Sequence, residues 1–257
     1  MPVRIVSLAG LVLAVALAVS VPRADAAGGM LSVAPITMEF APGKRAIAVE
    51  IANPGDEPTS VQLRMFNWRT DEAGDHYEPT QDIGFSPPIF ELAPKARQLV
   101  RLVLLAPQDG RRERAYRLFV DQLPKPDVTG VQMPIRMVLP VFIAPQPGAR
   151  GRSGSAAEPK ASAPPPARGL QWAAQHDGAG HVILTARNLG ERRIKLLNLN
   201  YSEDGQTHPI QPGLAGYVLS GEMRGWALPA TPKAGSIEVV AQSEDGEVRA
   251  NVALSAQ

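Results

Sequence analysis

Four histidines, His76, His176, His181 and His208, are the first residues whose spacing could do chemistry. No two of them stand at the i, i+4 spacing that brings imidazoles together in an HExxH zinc site. His176 and His181 flank a glycine-rich turn with Asp177, a spacing open to a weak metal site and, more simply, to an exposed hairpin. Ser153 and Ser155 neighbour glycines, but in a Pro/Ala-rich stretch and not on the strand-to-helix elbow of a hydrolase. The paired carboxylates Asp71/Glu72 and Glu203/Asp204 fall in turn sequences, where acidic side chains hold the turn itself. No glycine-rich loop opens a helix to cradle phosphate. The chain has no cysteine, which removes disulfides, thiolate chemistry and Cys-ligated zinc. Trp68, Trp172 and Trp226 are too dispersed to suggest a carbohydrate-binding platform. These residues argue against an enzyme and imply no cofactor and no metal.

The unusual chemistry lies in the backbone of VQMPIRMVLPVFIAP, residues 131–145. Val131, Met133, Ile135, Met137 and Leu139 alternate as one apolar side of a strand. Pro134 and Pro140 interrupt it, and neither can donate to a sheet ladder. Such a strand belongs at an edge or at a bulge. A long apolar edge is an aggregation hazard, kept where it is used. It can lend itself to another chain by β-augmentation, its alternate side chains filling that chain's core. The same side chains can instead pack inside their own sandwich. Both readings fit the residues equally.

The elements that must position this strand read as β throughout. Between residues 30 and 145, short alternating runs are separated by turn clusters such as Pro42-Gly43, Pro54-Gly55 and Asp109-Gly110. The pattern predicts an antiparallel sandwich of about seven strands. The 25 prolines of 257 residues are about twice the usual ~5% share, which disfavours long helices. Residues 1–26 read as a secretory signal, with Arg4, an apolar run and the small-residue site Ala24-Asp25-Ala26. An N-terminal domain is expected over 27–145. A Pro/Ala/Gly/Ser-rich linker or loop follows over 146–168, and a smaller all-β domain over 169–257. The formal net charge of +1 gives no electrostatic case for nucleic acid. No segment after the signal has the ~20 apolar residues of a membrane span, so no membrane insertion is expected after cleavage.

Several motifs in one order carry a family resemblance: SVAPITMEFAPGKRAIAVEIANPG, SPPIFELAP with LVRLVL, RERAYRLFVDQLP, VLPVFIAP and GYVLSGEMRGWAL. Together they resemble the PapD-like periplasmic chaperones of the chaperone–usher pilus pathway. RERAYRLFVDQLP and the first stretch are most similar to the archaic, Csu-type branch. The resemblance implies two immunoglobulin-like β-sandwich domains set at an angle, with a subunit-binding cleft between them. It implies a periplasmic location, with incomplete pilus subunits and an outer-membrane usher as partners. Val131, Met133, Ile135 and Met137 would be the donor side chains that complete a subunit's groove. Methionine suits such a groove because its thioether adapts to irregular shapes.

The chain departs from the family pattern in one place. Other branches anchor the subunit's terminal carboxylate with two basic residues, one in the first strand and one near the end of the donor strand. Matching the motifs puts Thr37 and Pro140 there, and neither carries charge. Arg114 and Arg117, on the preceding strand, are the nearest cations able to hold a carboxylate. Internal ion pairs with Glu113 or Asp121 compete for them. Arg101 matches a position that the family uses for a structural ion pair. Pro87-Pro88 is a strand end at which a cis bond is plausible. The alternative in another class is a secreted structural or adhesive β-sandwich protein. A pilin-like subunit would lack its closing strand, whereas here that strand is present and overlong.

Overall fold

Prolines decide where this chain changes layers. The computed structural model describes residues 31–108, 110–126, 131–146, 169–177 and 180–255. The expected signal segment and nearly all of the expected 146–168 linker or loop lie outside the described residues. The first strands are β1 (Ser32–Ala34), β2 (Met38–Phe40), β3 (Ala46–Ala52), β4 (Thr59–Asp71) and β5 (Gly74–Pro79). Then come β6 (Ile83–Ser86), β7 (Ile89–Leu92), β8 (Arg97–Leu104), β9 (Arg114–Gln122) and β10 (Arg136–Ile143). One sheet runs β1-β3-β8-β6, the other β2-β10-β9-β4-β5, with β7 also on β4.

Ten strands replace the seven expected because three runs divide. The first splits at Pro35 into β1 in one sheet and β2 in the other, and SPPIFEL splits at Pro87-Pro88 into β6 and β7 in the same way. A residue without an N–H cannot continue a central ladder, so each proline frees the chain to cross to the facing layer. The cis bonds are Ala34–Pro35 and Ser86–Pro87, so the second lies one bond before the Pro87–Pro88 pair. The third division is a hairpin: the run ending in TDEAGD turns back as β5 on β4.

The two inner faces close on one core. Val49, Ile51, Val100, Leu102 and Leu104 come from one sheet, and Val61, Leu63, Tyr116, Leu118, Val120, Leu139, Val141 and Ile143 from the other. Each fully buried aliphatic side chain contributes roughly 1.5–3 kcal/mol, which lets a chain without disulfides hold this sandwich. At the Pro42-Gly43 turn, Lys44 N–H donates to the Ala41 carbonyl (2.9 Å), and Gly43 has φ 77°, a left-handed conformation that glycine adopts without a Cβ penalty.

The second unit comprises β11 (Leu170–His176), β12 (Val182–Asn188), β13 (Ile194–Glu203), β14 (Gln206–Val218), β15 (Met223–Ala227), β16 (Ser236–Ser243) and β17 (Gly246–Ser255). Its strand order is β14-β13-β16-β17-β11-β12-β15. β17 pairs with β16 along its length and with β11 only at Leu254–Ser255, so the path folds over into two layers around its own core. Asp204 and Gly205 have φ of 48° and 78°, the left-handed pair of a two-residue hairpin between β13 and β14. The architecture is all-β, two immunoglobulin-like sandwiches. No helix among the described residues is long and apolar enough to cross a membrane.

Candidate functional site

The strand that closes the first sandwich leaves it with its apolar face uncovered. β10 pairs antiparallel with β9 from Arg136↔Asp121 to Ile143↔Arg114, and parallel with β2 only over Val141–Ile143. Among the described residues the expected edge position therefore holds for 136–140, where no strand lies on the far side, and ends at Val141, where β2 covers it. The regular strand begins at Arg136 and not at Val131, because Pro134 cannot donate and disfavours regular pairing beside it. Residues 131–135 still track β9's continuation. Gln122 N–H donates to the Ile135 carbonyl (2.9 Å), and the Gln132 side chain exchanges two 2.8 Å bonds with the Lys125 backbone.

One parity of this segment passes from core to solvent. Leu139, Val141 and Ile143 are buried, and Met137 is half-buried against the same core. Ile135, Met133 and Val131 are then 39%, 81% and 96% exposed. Met137 thus contacts its own sandwich, while the three side chains before it are open to another chain.

The opposite parity forms a second surface. Arg117 on β9 pairs with Pro140 on β10 and with Phe66 on β4. Thr37 directly precedes Met38, which pairs with Val141, so Thr37 lies across β10 from β9, and of the two uncharged family positions Pro140 is the cross-strand neighbour of Arg117. The guanidinium carbon of Arg117 lies 3.5 Å from the centroid of the Trp68 ring. Its Nε is buried without a hydrogen bond, and Arg117 has no ion pair among the described residues. Burial pulls its pKa below the ordinary arginine value, while Tyr77, Asp75 and Tyr217 draw it back up.

Arg114 has the other parity of β9. It reaches Asp82 (Nη1 to Oδ2, 3.6 Å) and donates to the Pro107 carbonyl, beside the Tyr116 hydroxyl that also uses Asp82 (2.6 Å). Neither arginine takes the internal partners that sequence suggested. Asp121 holds Arg64 (2.8 Å) and Arg136, and Glu113 holds Arg193. Arg101 stands exposed between Ala48 and Ser86 without an ion pair among the described residues, so the structural pair expected there is not formed.

The second sandwich abuts one end of this surface. Trp68, Ala115 and Phe142 pack with Tyr217 and Leu219 in a small cluster of buried residues. Trp68 meets Tyr217 edge-on at 5.6 Å, and Arg193 lies over Phe142 at 3.7 Å. Polar clasps flank the cluster. Glu113 N–H donates to the Glu191 carbonyl (2.8 Å), and Arg193 N–H returns a 3.0 Å bond to Glu113 Oε1. Burial raises the Glu113 pKa above the usual carboxylate range against the pull of Arg193 and Arg192. On the other flank Glu222 accepts from Thr70 N–H (2.6 Å), and Arg224 donates to Asp75 (2.8 Å). Asp75, Tyr217 and Arg224 were invisible as site residues in the sequence, since they converge only through folding across some 150 positions. Trp68 had one signal, an aromatic amid alternating β residues.

Several other candidates make local contacts, while Ser153 and Ser155 lie outside the described residues. Asp177 accepts from His181 N–H (2.7 Å) in the β11–β12 hairpin, and no cluster of three metal-ligating side chains occurs among the described residues. Asp71 accepts from the N–H groups of Ala73 and Gly74 in its turn. Trp172 and Trp226 stack at 6.0 Å, Trp226 within the second core and Trp172 against it, far in role from Trp68.

Residues 30–148 match the family described as "Pili and flagellar-assembly chaperone, PapD N-terminal domain". A structure of the CsuC–CsuE chaperone–tip subunit pre-assembly complex from archaic Csu pili of Acinetobacter baumannii superposes with TM-score 0.65 at 23% identity, covering 88% of this chain and all of that one. The E. coli chaperone DraB aligns with TM-score 0.54 at 18% identity, covering 87% and 97% of the two chains. A Salmonella enterica SafA pilin–SafB chaperone complex gives 0.54 at 14%, covering 86% and 96%. No curated protein matches the chain significantly in sequence. Residues 30–148 therefore match the family model of the PapD N-terminal domain, and the chain as a whole carries the two-sandwich fold seen in these chaperone structures.

Proposed function

We propose that the protein is a periplasmic, non-enzymatic chaperone that holds pilus subunits by donor-strand complementation and delivers them to an outer-membrane usher. The observation that carries this reading is the apolar parity of the closing strand, buried at Leu139 and exposed at Ile135, Met133 and Val131. A subunit lacking its last strand would pair with the open edge of residues 131–140 and take these side chains into its own core. Three such side chains contribute on the order of 5–9 kcal/mol when fully buried, enough to hold an aggregation-prone partner without nucleotide. Met137 supports them from its place against the chaperone's own core.

Arg117 is the anchor for the subunit's terminal carboxylate in this reading. It lies on the face of β9 next to Pro140, over an indole, with donors not spent on any described residue. Arg114 already serves Asp82 and Pro107. A guanidinium fork in a partly dry site suits a carboxylate better than a lysine would.

Co-expression with export to the periplasm tests the function. A one-to-one complex with a small β-rich subunit is the expected product. Recovery of the protein alone, with coexpressed subunits aggregating as they do without it, would remove the chaperone assignment.

A further inference from the structure

The platform beneath Arg117 is built by both sandwiches. Trp68 Nε1–H donates to Asp75 Oδ1 at 2.9 Å, and Arg224 Nη1 of the second sandwich donates to the same oxygen at 2.8 Å. Tyr217, also from the second sandwich, meets the indole edge-on. Arg224 reaches Asp75 by crossing Gly216, where an added Cβ would fall 2.6 Å from its Nε. One carboxylate oxygen therefore ties three things together: the indole that carries Arg117, the hairpin of β4 and β5, and a cation from the far domain.

Asp75 is also a rival. It is a carboxylate near enough to raise the Arg117 pKa, while Arg224 opposes that effect. An Asp75 without Arg224 would draw the Arg117 guanidinium off the ring and into an internal ion pair. With Asp75 engaged twice, Arg117 keeps its donors free.

We infer that Arg224 is a positioning residue for subunit capture: by occupying Asp75 it holds Trp68 beneath Arg117 and keeps that arginine available to a partner's terminal carboxylate. This rests on Arg117 being the anchor. The second domain then does more than wall the cleft, because it sets the orientation of the anchoring site in the first.

The test uses the full mature chain and a defined probe, N-acetyl-Val-Thr-Phe with a free carboxylate, against its C-terminal amide. Side-chain ¹⁵N resonances of Arg117 and the Trp68 indole, one of only three indoles in the chain, report binding. The free acid is expected to shift both signals and the amide neither. Arg224→Met should weaken acid binding about tenfold, the size of one charge-assisted hydrogen bond. Asp75→Asn/Arg224→Met should recover to within about twofold, because the rival charge is gone and the asparagine oxygen still accepts from the indole. A merely structural role for Arg224 gives no such rescue. Wild-type affinity in Arg224→Met, or a double variant as weak as the single, would overturn the inference. Equal acid binding by wild type and Arg117→Met would remove the anchor itself, and that failure is read separately from the Arg224 variants.

Discussion

Pro140 and Arg117 are cross-strand partners on one face of the first sandwich. The proline stands where the family resemblance places a base, and under the proposed function the arginine beside it would supply that charge from the next strand. A cation need not keep its sequence position to keep its place in space, since neighbouring strands lie only about 5 Å apart. The fork is oriented by Trp68 and not by a salt bridge.

The donor face separates into binding and folding positions. Met133→Asp with Ile135→Asp is expected to abolish protection of subunits while changing the melting temperature by no more than about 2 °C, since exposed sites usually shift stability by under about 0.5 kcal/mol. Leu139→Ala, four residues along the same parity but buried, is expected to cost about 2–5 kcal/mol. Paired aggregation assays and thermal melts check both. Retained protection in the double aspartate variant would sink the donor assignment.

Arg117→Met and Arg114→Met should differ in kind. The first is expected to lower affinity for subunits with a free terminal carboxylate by tenfold or more, the scale of a hydrogen bond to a charged group, with little effect on subunits extended past that carboxylate. The second should loosen the Asp82 contacts and leave capture within about twofold, as partly exposed ion pairs contribute little. Isothermal titration with both subunit forms decides between them.

Gly225→Ala should disturb the junction without touching either core. An added Cβ there would lie 2.6 Å from the Glu72 carbonyl oxygen across the domain boundary. Relief requires the domains to separate slightly, at a cost of about 1–3 kcal/mol typical of overpacking. Small-angle scattering should show a changed interdomain angle, and an unchanged profile with unchanged melting would contradict the tight approach.

The Glu113 clasp predicts an acid-side signature. Its folded pKa is raised, so folding favours the protonated form. Its contribution is fully present below the unfolded carboxylate value near ~4.3 and is lost as pH rises through the higher folded value. The stability of wild type relative to Glu113→Gln should therefore fall as pH rises across that window. Thermal melts from pH 3 to pH 8 measure the difference, and a wild type that gains stability relative to Glu113→Gln as pH rises would refute the direction.

The all-β class, the two units and the apolar parity from Val131 to Leu139 were legible because period-two alternation and turn residues are local signals. The doubling of short strands at Pro35 and Pro87 was less so, since a proline marks a break without saying which sheet receives the chain next. Thr37 and Pro140 stand uncharged where the resemblance implies bases, and sequence reasoning reached Arg117 only together with Arg114 as the nearest cations. Its separation from Arg114 required strand parity, which put one arginine over Trp68 and the other on Asp82. Asp75 and Arg224 carry no local mark at all. Their meaning comes from a contact between residues 149 positions apart.

The Gln132 side chain, which holds the Lys125 backbone in place of ladder bonds, has a thermodynamic consequence. Ordering a free backbone costs about 1–2 kcal/mol per residue. A segment already held extended at Gln132 and Ile135 has lost much of that freedom before any partner arrives. Its encounter with another chain then resembles docking of a preorganised template more than coupled folding, and leaves more of the apolar burial available as affinity.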